Sequence, residues 1–513
     1  MPIDDARKRR PAADAAPAEP TRRRRTPPGT AADLLAVAAL LVLVGLGLAN
    51  LYMVDGPAIA FRQGVIAAAG VVALAALWRF RVRLLLWLGW ASYGFAVVML
   101  AAVLVVGLSV KGATRWIGLG PFTFQPSELA KLGLLLVLAA VLGSDRPPWQ
   151  RFAAAVGLAA LPIGLTLLQP DLSTTLLLVA LTVGLIVIGR VPARFVIPLF
   201  GAAAVAAPLV IGLLRPYQVQ RLGSFLAGSH ESPSGAGWAI QQARIALGSG
   251  SLFGRAGEPL TPLLAQYMPE RDTDLALASL VLQFGLVAGA AAILAAIVLV
   301  WRMALGCRHA RTRQGALVAG GMAILLGVEV VVSVGGNLGL LPLAGVPFPL
   351  LSNGGTALLV HLVAIGVVLG VRRDGARRPL WAVARRRTRR PRLVRSLAMA
   401  LTAVLVVFGA YGWNVQAVQG ETLYEAGQEQ MTRCIRIPAT RGTITDRHGA
   451  VLATGAGEAA LEEVVVVPAM LRSRPDDVAR LAALLGQPPD ALRTTLDGAE
   501  DTTVSLLVAE VPP

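Results

Sequence analysis

The chain has 513 residues, 55% of them hydrophobic and 15% charged, with a mean hydropathy of +0.65 and a formal net charge of +17 at pH 7. So apolar a composition excludes an ordinary soluble enzyme and predicts a polytopic membrane protein. The excess positive charge is mostly Arg in short clusters between apolar runs, as in loops beside anionic lipid, which argues against a nucleic-acid surface.

Residues 1–30 are rich in Ala, Pro and Arg without an apolar period, and read as a disordered, basic cytoplasmic tail. The run 31–54 is long enough to span, and its basic lead-in favours an uncleaved anchor. Further spans fall near 64–79, 84–107, 127–143, 152–168, 171–189, 195–214, 274–300, 315–334, 353–371 and 396–416. That makes about eleven helices of roughly twenty residues each. Basic residues collect in alternate connections: Arg79, Arg81 and Arg83, then Arg146 and Arg151, Arg190 and Arg194, Arg302 to Arg313, and Arg372 to Arg395. The expected topology therefore has the N-terminus inside the cell and the region beyond 417 outside, with Cys307 and Cys434 on opposite faces and no disulfide framework. The histidines His230, His309, His361 and His448 have no metal-ligand spacing.

Four stretches on the expected outer side carry polar chemistry. In Lys111–Leu132 a Gly-punctuated loop holds Arg115 and Trp116, and Pro126 opens a helix bearing Glu128 and Lys131. Three residues apart, those two share a helix face, so they either pair within the bundle or meet a substrate. In QPDLSTTLL, Asp171 stands at a helix start. The 215–273 loop carries Arg215, Arg221, Arg244, Arg255 and Arg271, which suggests that it meets an anion. Its pattern Trp238, Ile240, Ile245, Leu247 favours a membrane-surface helix. The loop ends at Asp274, where a long apolar run begins. An ionisable group at the mouth of a span marks a pathway or active site by default, although Asp is also a favoured helix cap, and for this residue alone capping comes first. Finally, Gly335–Leu359 is too rich in Pro and Gly for one uninterrupted helix.

The ordered motifs GATRWIGLG with FQPSELAKL, QPDLSTTLL, GSGSLFG, PERDTDLALA and LPLAGVPFPLLSNGG resemble the shape, elongation, division and sporulation (SEDS) family of RodA and FtsW over residues 31–371. The resemblance implies an all-α bundle of about ten helices, and a peptidoglycan glycosyltransferase that polymerises lipid II at the outer face of the cytoplasmic membrane, serving cell shape, elongation or division. Asp274 matches the family's essential loop aspartate. The chain departs from the family pattern at Asp272, where His is usual, at Leu282 and Gln283, where paired acids are usual, at Ser333, where Asn is common, and at Asn353 and Thr356 within SNGGT, where SYGGS is usual.

For such a substrate the acceptor hydroxyl must lose a proton, a task for Asp274, with Glu128 and Glu270 as alternatives. Arg115, Lys131, Arg221, Arg244 and Arg271 are candidates for binding the pyrophosphate, and a divalent cation, Mg or Mn, is an option there. Trp116, Gln125, Asp171, Ser352, Gly354 and Gly355 are expected to line the cavity. A lipid II flippase and a non-catalytic scaffold fit the same sequence.

Beyond an Arg-rich linker, 372–395, lies one more span, 396–416, and then an extracytoplasmic α+β fragment, 417–513. IRIPATRGTITDRHGAVLA, from Ile435 to Ala453, resembles the opening of a class B penicillin-binding protein pedestal, and 475–498 reads as two short helices of it. The only lysines are Lys8, Lys111 and Lys131, preceded at three residues by Asp5, Leu108 and Glu128, so no Ser-x-x-Lys is encoded and no acyl-enzyme chemistry is expected. The implied partners are lipid II, a class B penicillin-binding transpeptidase and other divisome or elongasome proteins.

Overall fold

The computed structural model describes residues 30–80, 82–110, 113–119, 122–212, 236–257, 267–376 and 391–431, scattered positions from 218 to 261, and most of the short elements between 444 and 508. The chain folds into a helical bundle. Its long helices are α1 (Thr30–Asp55), α2 (Pro57–Leu77), α3 (Val82–Val106), α4 (Pro126–Leu142), α5 (Pro148–Leu168), α6 (Leu172–Ile188) and α7 (Ala193–Gly212). After the shorter α8 (Ala236–Ser249) come α9 (Ala276–His309), α10 (Arg313–Asn337), α11 (Gly355–Ala376) and α12 (Pro391–Ala417). Eight of the described helices are long and apolar enough to cross a membrane. Pro at the first turn starts α2, α4 and α5, where a missing N–H costs nothing.

The helices run between two unlike ends. At one, Arg313 pairs with Asp145, Arg373 donates to the Trp78 carbonyl, and buried Arg151 donates to the last carbonyls of α4 and α6 at Leu142 (3.0 Å) and Gly189 (3.1 Å). Those contacts satisfy orphan carbonyls at the negative ends of two helix dipoles. The other end gathers the polar stretches. There the loop before α4 is an antiparallel meander of β1 (Leu108–Val110), β2 (Ala113–Leu119) and β3 (Phe122–Phe124), with Leu108 opposite Trp116 and Ile117 opposite Phe124.

α9 is broken at Gly285, whose φ of 82° is open to glycine at little cost. The break exposes backbone groups, and residues 251–256 take them up. Arg255 and Ala256 donate to the carbonyls of Leu282 and Gln283, each at 3.1 Å, while Leu286 and Val287 donate back to Ser251 and Leu252 at 3.0 and 3.2 Å. Irregular backbone is thus paired inside protein, as the membrane requires. Leu282 and Gln283 are themselves buried in this seam.

The pattern Trp238, Ile240, Ile245, Leu247 favours a membrane-surface helix, and the structure corrects this expectation. In α8 the side chains Ile240, Ile245 and Leu247 are buried, because α9, α12 and α13 (Gly420–Met431) cover its apolar face. α12 lies along α9 and α10, with Leu401 against Gly327 and Phe408 against Gly335. α13 then folds back on α8: Leu423 packs on Gly248, Arg255 stacks over the Tyr424 ring at 4.3 Å, and Gln416 donates to the Ser251 carbonyl. Farther on, α14 (Pro468–Arg472), α15 (Pro475–Leu484) and α16 (Pro489–Asp497) close a small separate core around Val478, Ala482, Leu492 and Leu496. The antiparallel pairs β4–β5 (Ile444–Thr445, Val451–Ala453) and β6–β7 (Glu462–Val466, Val504–Val508), the second joined across the three helices, complete this region.

Candidate active site

Asp274 stands two residues ahead of Ala276, where α9 begins. The cap position falls on Leu275, whose side chain makes no cap hydrogen bond; the first-turn N–H of Ala278 is taken up by Asn337 instead. Asp274 lies one residue outside the cap position, and its half-buried carboxylate stands at the positive end of the helix dipole.

The backbone around Asp274 is fixed from both sides. Asn337, fully buried at the end of α10, donates from Nδ2 to the Asp274 carbonyl (2.8 Å) and to the Ser333 carbonyl (2.8 Å), while its Oδ1 accepts from Ala278 N–H (3.0 Å). Ser352 Oγ donates to the Thr273 carbonyl at 2.6 Å and accepts from Phe348 N–H at 2.9 Å. Ahead of it, Glu270 holds a left-handed φ of 51°, its carbonyl accepts from Thr273 and Leu275 N–H, and its Oε2 accepts from Thr273 Oγ1 at 3.0 Å. Asp272 is bound by Asn353, through Nδ2 to Oδ2 at 2.9 Å and through backbone N–H to the Asp272 carbonyl at 2.7 Å. The first two residues of the SNGGT segment, Ser352 and Asn353, therefore grip the loop that presents Asp274.

The carboxylate faces the Pro-rich segment before α11. A Cβ built on Gly345, whose φ is +66°, would stand 3.5 Å from Asp274 Oδ2 and 3.9 Å from Ser173 Oγ. Ser173, in the first turn of α6, donates to the Ala344 carbonyl and so ties that segment to the α6 terminus. Asp171 caps α6, accepting from Thr174 N–H at 3.2 Å and Thr174 Oγ1 at 2.8 Å. Arg115, from β2, reaches the same corner, with Nη2 donating to the Pro170 carbonyl (2.6 Å) and Nη1 lying 3.6 Å from Asp171 Oδ1. Gln125 and Thr356 bring β3 and α11 together, since Gln125 N–H donates to Thr356 Oγ1 at 3.3 Å. Gly354 and Gly355 stand beside them at the α11 terminus, and Trp116 is half-buried in the meander.

The remaining candidates are dispersed. Arg271 pairs with Asp55 at the end of α1 (3.3 Å), and Arg244 donates to Gln419 Oε1 (2.9 Å) beside Gly339, two residues past Asn337. Lys131 and Glu128 lie in the bundle core, where Lys131 Nζ sits 2.9 Å from Glu128 and 2.6 Å from Glu329, so its charge is taken up inside the protein. Arg221 lies outside the described residues. Among the described residues no group of three or more His, Cys, Asp or Glu is assembled to hold a metal ion. Sequence reasoning did not single out Asn337, Ser173 or Gly345. Ser173 and Gly345 lie within the motifs QPDLSTTLL and LPLAGVPFPLLSNGG quoted above, and Asn337 lies within the stretch Gly335–Leu359, but only the fold brings them to Asp274.

A bundle of apolar helices with a half-buried carboxylate at a Pro- and Gly-rich end defines a multi-pass membrane protein with a candidate active site at one face. Residues 28–376 match the family model of FtsW, RodA and SpoVE, described as "Cell cycle protein", and the chain belongs to that family. The Escherichia coli (strain K12) protein named peptidoglycan glycosyltransferase MrdB is 35% identical over 288 residues, covering 55% of this chain and 78% of its own. Stage V sporulation protein E of Bacillus subtilis (strain 168) is 32% identical over 367 residues, covering 67% and 98%. Among solved structures, one described as "Structural coordination of polymerization and crosslinking by a peptidoglycan synthase complex" contains a chain with TM-score 0.58 and 31% identity, covering 68% of this chain and 98% of that one. The rod shape determining protein RodA of Thermus thermophilus gives TM-score 0.50 at 28% identity, covering 67% and 96%.

Proposed function

We propose that this protein is a peptidoglycan glycosyltransferase that polymerises lipid II, with Asp274 as the base that takes the proton of the acceptor sugar hydroxyl. The observation that carries the reading is the fixation of Asp274. The Asp274 and Thr273 carbonyls are bound by Asn337 and Ser352, Asn337 also holds the first turn of the helix that follows, and Asp274 Oδ2 faces the glycine of the segment before α11. A base held in one geometry loses little entropy when the reacting hydroxyl arrives. The names of the relatives, peptidoglycan glycosyltransferase among them, support the same reaction.

The anionic leaving group calls for cations, and Arg115, Arg244 and Arg271 stand on the elements that surround this end of the bundle. Each already has a partner in the protein, so each would exchange or share it as pyrophosphate binds. Lys131 is left out of this role because two buried carboxylates hold it. By the positive-inside rule the Arg-rich end faces the cytoplasm, so the Asp274 end faces outward, where lipid-linked wall precursor is used. A class B penicillin-binding protein is the proposed partner. The solved neighbour comes from a peptidoglycan synthase complex, and the pedestal-like stretch after α13 is the kind of surface such a partner would complete.

The test is polymerisation of purified lipid II by the reconstituted chain, alone and with a class B partner. Glycan strands that disappear with Asp274→Asn support the reading. Movement of lipid II across the bilayer without polymer would replace it with transport.

A further inference from the structure

A second polar cluster lies in the bundle core, apart from the Asp274 loop and independent of the function proposed above. It draws Glu128 and Lys131 from α4, Glu329 from α10 and His361 from α11, with relative side-chain exposures of 6%, 4%, 2% and 6%. Lys131 Nζ stands between the two carboxylates, 2.9 Å from Glu128 Oε2 and 2.6 Å from Glu329 Oε1. The other oxygen of Glu329 is 2.7 Å from His361 Nε2, and His361 Nδ1 is 2.7 Å from the Ala357 carbonyl. A small cavity, bordered by Glu128, Lys131, His361 and apolar neighbours such as Met322 and Val360, adjoins the group.

The bonding pattern fixes where protons must be. A carbonyl oxygen only accepts, so His361 Nδ1 carries hydrogen. One hydrogen must also lie between Nε2 and Glu329 Oε2, and with Glu329 a carboxylate held at its other oxygen by an ammonium, that hydrogen sits on Nε2. Both ring nitrogens donating means an imidazolium. Charge balance leads independently to the same state. Two carboxylates against one ammonium leave one negative charge uncompensated inside a membrane bundle, which is a costly arrangement, and one further proton neutralises the cluster. That proton belongs on imidazole, intrinsically the more basic of the two groups by about two pKa units. The charged groups acting on His361 are Glu329, Lys131 and Glu128. Helices α2, α3 and α9, which also pack on α11, bring no charged side chain to it among the described residues.

We propose that this cluster is a buried proton-binding site: one proton, held as the His361 imidazolium against Glu329, makes the four groups neutral and locks α4, α10 and α11 together beneath the loops of the Asp274 end.

The test uses the full chain in lipid bilayers with His230, His309 and His448 replaced by Gln, so that His361 is the sole histidine, labelled with nitrogen-15. Solid-state NMR at pH 7 should show both ring nitrogens protonated. A spectrum with one bare ring nitrogen would overturn the proposal. Charge-balanced variants give a second readout that a packing role would not produce. His361→Gln leaves the cluster with an uncompensated negative charge and should lower the melting temperature by at least about 3 °C. Glu329→Gln lets the imidazole release its proton and stay neutral, so adding it to His361→Gln restores neutrality, and the double variant should melt above the His361→Gln protein. A double variant melting at the sum of the two losses would show that neutrality is not what holds the cluster, and would sink the idea.

Discussion

Asp272 and Asn353, separated by 81 positions in the chain, hold each other by a side-chain bond of 2.9 Å and a backbone bond of 2.7 Å. The resemblance to the SEDS motifs implies His and Tyr at these two positions, and in the fold the acid and the amide that stand there instead are partners. The substitutions therefore read as one change in how the Asp274 loop is clasped, made in two positions.

The first prediction follows from that pairing. Asp272→Ala and Asn353→Ala should each lower thermal stability, and the double variant should lose less than the sum, with a coupling of about 0.5–3 kcal/mol, as residues in direct contact show. Asn353→Tyr alone should be worse than Asp272→His with Asn353→Tyr together. Melting curves of the four proteins in one detergent decide it, and strict additivity would mean that the two residues act separately.

Gly345 supplies the second. Its φ of +66° lies in the left-handed region, so Gly345→Ala should cost about 1–2 kcal/mol through backbone strain alone. The added methyl would also stand between Asp274 Oδ2 and Ser173 Oγ, where the proposed acceptor hydroxyl has to arrive. Glycan synthesis should consequently fall by more than the stability loss explains. A variant destabilised to the predicted extent yet fully active would place the acceptor elsewhere.

Much of the architecture is legible in the sequence because a membrane span is a long signal. All eleven expected helices are found, most with ends within a few residues of the apolar runs, since a run of that length has no other way to satisfy its backbone in lipid. Shorter elements are harder to read. The meander 108–124 looks like a plain loop, because Gly118 and Gly120 interrupt its alternation, and α13 is too polar to be separated from a linker. α8 shows why an apolar stripe alone does not locate a helix: the same stripe suits a membrane surface or the underside of α13. Asp274 could be named from its motif, and Lys131 could be paired with Glu128 from spacing. Glu329 and His361, one ionisable group in each of two separate spans, meet Lys131 only through tertiary packing that no local period encodes.

Topology gives the third prediction. Cys307 is partly buried on the Arg-rich end of α9, with Sγ 3.2 Å from the Ala316 carbonyl, whereas Cys434 lies beyond α13, outside the described residues. If the Arg-rich end faces the cytoplasm, a membrane-impermeant thiol reagent applied to intact cells should label Cys434 and leave Cys307 untouched until the cells are opened. Labelling of Cys307 alone on intact cells would invert the chain in the membrane and remove the proposed site from the face where it is needed.

The last prediction concerns the proposed base. Asp274→Asn preserves size and much of the hydrogen bonding while abolishing basicity, so lipid II polymerisation should drop by about 10²- to 10⁴-fold, the usual range for loss of a general base. Stability should hardly move. The contacts that fix the loop run through the backbone carbonyls of Thr273 and Asp274 and through Asn337 and Ser352, none of which the substitution removes. Binding of lipid II should persist as well, because the proposed phosphate contacts belong to arginines on other segments. Asn337→Ala makes the informative companion. It removes three buried hydrogen bonds, so it should cost about 1–3 kcal/mol for each polar group left unpaired and lower activity through misplacement of Asp274. The two variants then separate chemistry from positioning, one inactive with an unchanged melting temperature and the other losing both together. Full-length glycan from the Asp274→Asn protein would take this residue out of the chemistry and leave Glu270, three residues from the loop's own Thr273 and already bonded to it at 3.0 Å, as the next carboxylate to test.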